Sequence, residues 1–328
     1  MVTRRQFLGT IGATAAMVRL KPDPTYGADA THAGVAPSSV GSGFSRTAAE
    51  PSMHFGYAAI TWGADIVKAM EDISAVGFKA IQLRGEAFAQ YGERPKELRA
   101  LLDRHQLTFA VLSSGNLSID PTREREMLSL HVRHAEFVRD AGGKYLQIID
   151  ERPKDRAVIA DDYRRLGRLM TELGKRTAGI GVPLVYHHHM NSTGEKPAEV
   201  RAVLDAADRK HVRLLFDVAH YQQGGGDPVA AIREYREWIE VVHLKDVRPA
   251  PAAPAQPASP ATPAPAYQFV ELGRGRVDLP GVFAALRDIR YDKWAIVELD
   301  RVPDPGRTAK ESAEMNKRYL IEQAHQTI

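Results

Sequence analysis

Four short apolar runs in this sequence end in residues that can hold a metal ion or move a proton. Val182-Pro183-Leu184-Val185-Tyr186 leads into His187-His188-His189, three of the chain's twelve histidines. Val212 to Phe216 ends at Asp217, with His220 three residues on; Trp238 to Val242 ends at His243, with Lys245 beyond it; Trp294 to Val297 ends at Glu298. Imidazole and carboxylate donors without thiolate suit a divalent cation such as Mn, Co, Zn or Fe. The chain has no cysteine, which excludes thiol nucleophiles and thiolate metal sites. Taken singly, each residue has an ordinary explanation: Asp217 as a loop cap, His243 as a hydrogen-bonded core histidine, Glu298 as a strand-end charge. Their weight comes from recurring at the same place in four successive strands. Side chains alternate across a strand, so the three consecutive histidines cannot all face inward. His187 and His189 share one face and are alternative ligands, and His188 packs on the other.

Eight strand-helix units place these residues. The first strand is expected at Met53 to Gly63, with a helix from Asp65 to Val76 closed by Gly77. Strands at Lys79 to Leu83, Thr108 to Leu112 and Lys144 to Ile149 follow, the last ending at Asp150-Glu151-Arg152, with helices after Pro95 and Pro121 between them. The histidine strand, the Asp217 strand, the His243 strand and the Glu298 strand complete the set. Strict alternation of this kind requires right-handed crossovers and a parallel sheet. The fold class is therefore a (β/α)8 TIM barrel, α/β and single-domain, with the four metal-capable strand ends on its carboxyl-end rim.

With 328 residues, 44% of them hydrophobic, the chain exceeds the about 250 residues of one barrel. The extras are expected in three places. Residues 1–30 carry Arg4-Arg5 before the apolar run Ile11 to Val18 and an Ala28-Asp29-Ala30 triplet, the pattern of a twin-arginine signal peptide and hence of a periplasmic protein. Residues 31–52 read as a flexible linker, and the barrel occupies residues 53–328. Within it, residues 249–266 are almost only Pro and Ala and read as an exposed loop after the seventh strand. The formal net charge of +3 falls to +1 without residues 1–30, so nothing electrostatic favours nucleic acid as a partner. No stretch approaches the roughly 18 apolar residues of a membrane span.

Tyr186-His187-His188-His189-Met190-Asn191, Phe216-Asp217-Val218-Ala219-His220, Val242-His243-Leu244-Lys245-Asp246 and Leu272-Gly273-Arg274-Gly275, with the strand ending at Glu298, resemble the inosose dehydratase branch of the sugar phosphate isomerase/epimerase family, the xylose isomerase-like TIM barrels. The resemblance runs from about Met53 to the carboxyl end. It implies a divalent metal held by Glu, Asp, His and Glu at the ends of strands five to eight. Asp217, His243 and Glu298 match the last three, while His187 stands where the first Glu is expected, with His189 beside it. Gln82 stands where a Glu is usual at the end of the second strand.

Those departures bear on the reaction. Family epimerases use two opposed carboxylates, and here Glu298 alone remains of that pair, which favours a one-sided reaction. The expected activity is that of a metal-dependent lyase, a dehydratase or eliminase of a keto-sugar, keto-inositol or keto-glycoside working through a metal-stabilised enediolate. Glu298, His220, Lys245 and Glu151 are the catalytic candidates, and a small-molecule carbohydrate is the expected partner. A metal-dependent sugar isomerase or epimerase is the alternative within the same barrel. An inactive carbohydrate-binding barrel would be missing ligands, and a DNA-repair endonuclease of the related abasic-site family would need more ligands and a basic face.

Overall fold

The computed structural model describes residues 52–251 and 266–328. The expected signal peptide, nearly all of the linker and most of the Pro/Ala-rich stretch lie outside the described residues.

Eight parallel strands close on themselves: β1 (His54–Ala58), β2 (Ala80–Arg84), β3 (Thr108–Leu117), β4 (Tyr145–Asp150), β5 (Leu184–His187), β6 (Val212–Asp217), β7 (Ile239–Leu244) and β10 (Trp294–Val297). Each pairs with its sequence neighbour, and β10 closes the ring between β7 and β1, with Tyr57 opposite Val297 and Ile296 opposite His243. All four residues of β5 and the last four of β6 and β7 are buried, because a parallel barrel covers both faces of its strands.

The outer helices owe their ends to local chemistry. Helix α1 (Ile66–Val76) starts where the Asp65 carboxylate accepts the Lys68 N–H at 3.1 Å, and it stops at Gly77, whose φ of 107° only glycine adopts without strain. Three further helices follow: α2 (Gly85–Tyr91), α3 (Pro95–Arg104) and α4 (Glu124–Asp140). After them come α5 (Ala160–Ile180), α6 (Pro197–Asp205), α7 (Val218–Gln223), α8 (Pro228–Glu234), α9 (Leu279–Asp288) and α10 (Ala309–Glu322).

Three features depart from the expected layout. The first strand ends at Ala58, not Gly63, because the chain tightens into a 3-10 turn over Ala59–Trp62 that ends on Gly63 at φ 61°. Asp217 does not simply end a strand: its Oδ1 accepts the Ala219 and His220 N–H groups at 2.9 and 2.8 Å and so starts the short helix α7. Finally, an antiparallel hairpin, β8 (Asp246–Pro249) with β9 (Tyr267–Val270), projects from the end of β7, pairing Asp246 with Val270 and Pro249 with Tyr267. The expected loop of residues 249–266 is thus flanked by paired strands, and its first residue, Pro249, belongs to one of them.

The hairpin is anchored by Asp246. Its carboxylate accepts N–H groups from Gly273 (3.0 Å), Gly275 (2.8 Å) and Val277 (3.1 Å), folding the Leu272-Gly273-Arg274-Gly275 motif around itself. A Cβ at position 275 would lie 2.1 Å from Asp246 Oδ1, which explains the glycine there.

Candidate metal centre

The strand ends bring His187, Asp217 and His243 together in the buried mouth of the barrel, with one possible ligand atom from each lying within 4.8 Å of the others. Asp217 Oδ2 is 3.6 Å from His187 Nε2 and 3.5 Å from His243 Nδ1, and the same His243 nitrogen is 3.6 Å from Glu298 Oε2. His187 Nε2, Asp217 Oδ2 and His243 Nδ1 are all buried without a hydrogen-bond partner. Buried polar atoms are almost always satisfied, so three unsatisfied ones aimed at a common point need a cause. Donor atoms around a tetrahedral cation with bonds of 2.0–2.1 Å are about 3.4 Å apart. The spacing and the nitrogen and oxygen donor set therefore fit a divalent cation of the zinc, manganese, cobalt or iron kind.

Other contacts of each ligand fix which atom it turns toward the cluster. Asp217 Oδ1 caps α7, so only Oδ2 remains. Glu298 Oε1 accepts from Lys245 Nζ at 2.9 Å. His188 faces away from the cluster and accepts the Asp217 N–H on its Nε2 at 3.2 Å, the structural role that alternation implies for it.

Charge distribution follows from burial. Burial pushes His187 down to about 4, against the pull of Asp217, so the ring is neutral near pH 7 and can offer a lone pair. For Glu298 burial acts upward, yet His243, Lys245 and His187 outweigh it and hold the carboxyl down at about 2. Asp217 is likewise held well below the ordinary carboxylate range by its histidine neighbours and Lys245, despite burial.

Lys245 is fully buried, and its Nζ is 2.5 Å from Asp300 Oδ1 as well as 2.9 Å from Glu298 Oε1. Burial alone would discharge it, but Asp300 and Glu298 hold its pKa above the usual lysine value, so it is an ammonium ion. Its third neighbour is His220 Nε2 at 3.3 Å, and the Phe269 ring from β9 covers it at 4.1 Å from the centroid. His220 lies 4.0 Å from Asp217 Oδ2 and stacks on His189 with centroids 3.8 Å apart. Burial pushes His220 well below its ordinary value, so it too is neutral.

Of the residues singled out from the sequence, His187, Asp217, His243, Glu298, His220 and Lys245 are assembled here. His189 lies at the cavity wall, its Nδ1–H donating to the Met190 carbonyl at 2.7 Å, and is not in the three-residue cluster. Glu151 stands apart, paired with Arg123 at 3.0 Å beside a neighbouring cleft. The sequence reading did not single out Gln147, Phe269 or Asp300 as site residues. Asp300 follows Glu298 by two residues, beyond the end of β10; Gln147 and Phe269 carry no local signal.

A cavity of about 460 Å³ opens onto the cluster, walled by residues from the ends of β1 to β5 and β10, including Arg84, Asn116, Gln147, His187 and Glu298. Among the described residues, none from β6 to β9 lines it.

A family description, the xylose isomerase-like TIM barrel, matches residues 70–319. The chain belongs to that family. Inosose dehydratase from Lacticaseibacillus casei is 27% identical over 251 residues, covering 72% of this chain and 82% of the relative. Inosose dehydratase from Geobacillus kaustophilus (strain HTA426) is 27% identical over 305 residues, covering 83% and 95%. Among solved structures, the IolI protein with a bound zinc atom superposes with a TM-score of 0.68 at 18% identity, covering 82% of this chain and 97% of its own. A D-tagatose 3-epimerase-like protein gives 0.67 at 16%, covering 83% and 97%. At such identities the structural likeness speaks for the barrel alone. The protein is an enzyme, with the lyase class favoured over the epimerases that share its fold.

Proposed function

We propose that the protein is a divalent-metal-dependent dehydratase of a cyclic keto-sugar or keto-inositol, removing water across the carbon next to the ketone. The observation that carries this is the convergence of His187 Nε2, Asp217 Oδ2 and His243 Nδ1, unpartnered, beside the ionised Glu298 carboxylate. The relatives named inosose dehydratase supply the substrate class. His187, Asp217, His243 and Glu298 would hold the cation, which when bound polarises a carbonyl oxygen and lowers the pKa of the adjacent C–H.

Glu298 is ionised at any working pH, so it is always available to take that proton. Its low basicity restricts it to a carbon made acidic by the ketone. The electrons of the broken C–H bond form the carbon-carbon double bond, and the hydroxyl on the next carbon leaves with a proton as water. Lys245 is the nearest charged donor: its ammonium can hand that proton over while Asp300 and Glu298 keep the site balanced. His220, whose Nδ1 accepts the Met190 N–H at 3.3 Å, packs beside Lys245 Nζ. An imidazole at 187 stands where the resemblance leads one to expect the second carboxylate of an epimerase, which disfavours epimerisation.

Turnover of inososes and keto-glycosides in deuterated water by the metal-loaded protein tests this. The expected product is lighter than substrate by one water. A stereoisomer of unchanged composition carrying one deuterium would mean an epimerase instead. The periplasmic address remains part of the proposal and rests on Arg4-Arg5 and the apolar run after it; export of a fused reporter, lost on Arg4→Lys with Arg5→Lys, checks it.

A further inference from the structure

Two buried glutamines stand behind the imidazoles of the cluster, and the chemistry above uses neither. Gln82 on β2 and Gln147 on β4 are 2% and 1% exposed. Gln82 Oε1 is 2.8 Å from His243 Nε2, and its Nε2 donates to Glu298 Oε2 at 3.1 Å. Gln147 Nε2 is 2.9 Å from His187 Nδ1 and 3.3 Å from Ser113 Oγ.

We propose that Gln82 and Gln147 are a matched pair of positioning residues that decide which nitrogen of each imidazole carries its proton, making His243 Nδ1 and His187 Nε2 the donors for the cation. The inference rests on the divalent-metal reading and adds what makes the two rings competent for it. A neutral imidazole has one N–H and one lone pair, and only the lone pair binds a metal. The partner of the other nitrogen sets which is which.

At His243 the assignment is complete. Gln82 Oε1 can only accept, so His243 Nε2 carries the proton and the lone pair is left on Nδ1, the unpartnered atom facing Asp217 and Glu298. Through its NH2 group the same amide fixes the Glu298 carboxylate, so one side chain aims two ligands.

At His187 the geometry shows the other half of the device. With Gln147 Nε2 donating to Nδ1, the ring keeps its proton on Nε2, directed at Asp217 Oδ2 3.6 Å away. That arrangement suits the site without a cation, and it leaves Gln147 Oε1 buried with no partner. A half-turn of the amide exchanges its oxygen and nitrogen with no change of shape. Oε1 then accepts from His187 Nδ1–H and from the Ser113 hydroxyl, and Nε2 is released as a lone-pair donor. The position that Oε1 leaves offers no partner to either atom, so the His187 side decides the orientation. Loading the site is thereby coupled to the turn of Gln147. The Glu that the family resemblance leads one to expect at 187 has no tautomer to set and would need no such partner.

The tautomers of His187 and His243 can be read in the zinc-loaded protein by long-range 1H–15N NMR, with zinc affinity measured by chelator competition. His243 is expected as Nε2–H and His187 as Nδ1–H. Gln82→Leu and Gln147→Leu should each weaken zinc binding by about 10- to 100-fold. Gln147→Glu, which can accept but not donate, should bind within a few-fold of the parent. Either ring in the opposite tautomer, undiminished affinity in Gln147→Leu, or a Gln147→Glu protein as weak as Gln147→Leu would overturn the proposal. Because the tautomers are measured on the unaltered sequence, they decide the matter even where a variant does not fold. A parent protein that takes up no zinc overturns the metal reading itself, and this inference with it.

Discussion

At the scale of single residues, Glu298 is asked to do two things, since its carboxylate both faces the ligand cluster and lines the cavity where it can take a proton from substrate. Glu298→Gln should therefore lower turnover by about 10²- to 10⁴-fold, the usual worth of a general base, while the amide oxygen still offers the cation one neutral donor. Turnover at saturating metal, with occupancy measured on the same sample, checks this; near-parental turnover would move the base elsewhere. Lys245 gives a second expectation. With Asp300 and Glu298 at 2.5 and 2.9 Å, Lys245→Met removes the ammonium and leaves two carboxylates facing each other. Activity should fall by more than tenfold with metal content retained, as measured by elemental analysis. The ligand positions were legible in the sequence because they recur at strand ends. His187 and His189 could not be separated there, since both lie on one strand face, and the choice depends on the chain ending β5 at His187 and bending away.

At the scale of elements, the β8–β9 hairpin roofs the Lys245 side of the site through Phe269, whose ring lies 4.1 Å from Lys245 Nζ and 4.8 Å from the His220 centroid. Phe269→Ala removes a cation–π contact worth about 0.5–2 kcal/mol and lets water reach the ammonium. Turnover should drop several-fold with little change in Tm, and an unchanged rate would show the ring to be mere packing. A second element-level device lies between β3 and α4: Ser114 Oγ is 2.6 Å from His131 Nδ1 and 2.7 Å from His134 Nδ1, donating to one and accepting from the other. Ser114→Ala strands two buried nitrogens and should cost about 1–3 kcal/mol, visible as a few degrees in Tm. The eight barrel strands were legible because each is a continuous apolar run between helix-length polar segments. The hairpin was not, because its strands are four residues each, separated by Pro and Ala, and β9 follows that stretch with no turn residues to announce it. Helix α7 was missed for a related reason: it is six residues long and exists through the Asp217 cap.

At the scale of the whole molecule, buried histidines set the acid limit of stability. Burial pushes His131 and His134 down to about 4. The unfolded chain takes up these protons near pH 6.5 while the folded protein refuses them until about 4, so stability falls as pH drops through that interval. Glu298 acts in the same direction lower down: its carboxyl is held at about 2, so its contribution, full above about 4.5, is lost as pH falls toward 2. Tm of the metal-free protein should accordingly decline from pH 6.5 to 4, and a flat profile there would contradict these environments. The one-sided cavity has a further consequence. Its walls come from β1 to β5 and β10, and Lys245, beneath the hairpin, lies 2.9 and 2.5 Å from the cavity-lining Glu298 and Asp300. A ketone seated in it would turn the same prochiral face to Glu298 at every turnover, so any proton exchanged there arrives with one handedness, and a reaction run in deuterated water should label any new stereocentre in a single configuration.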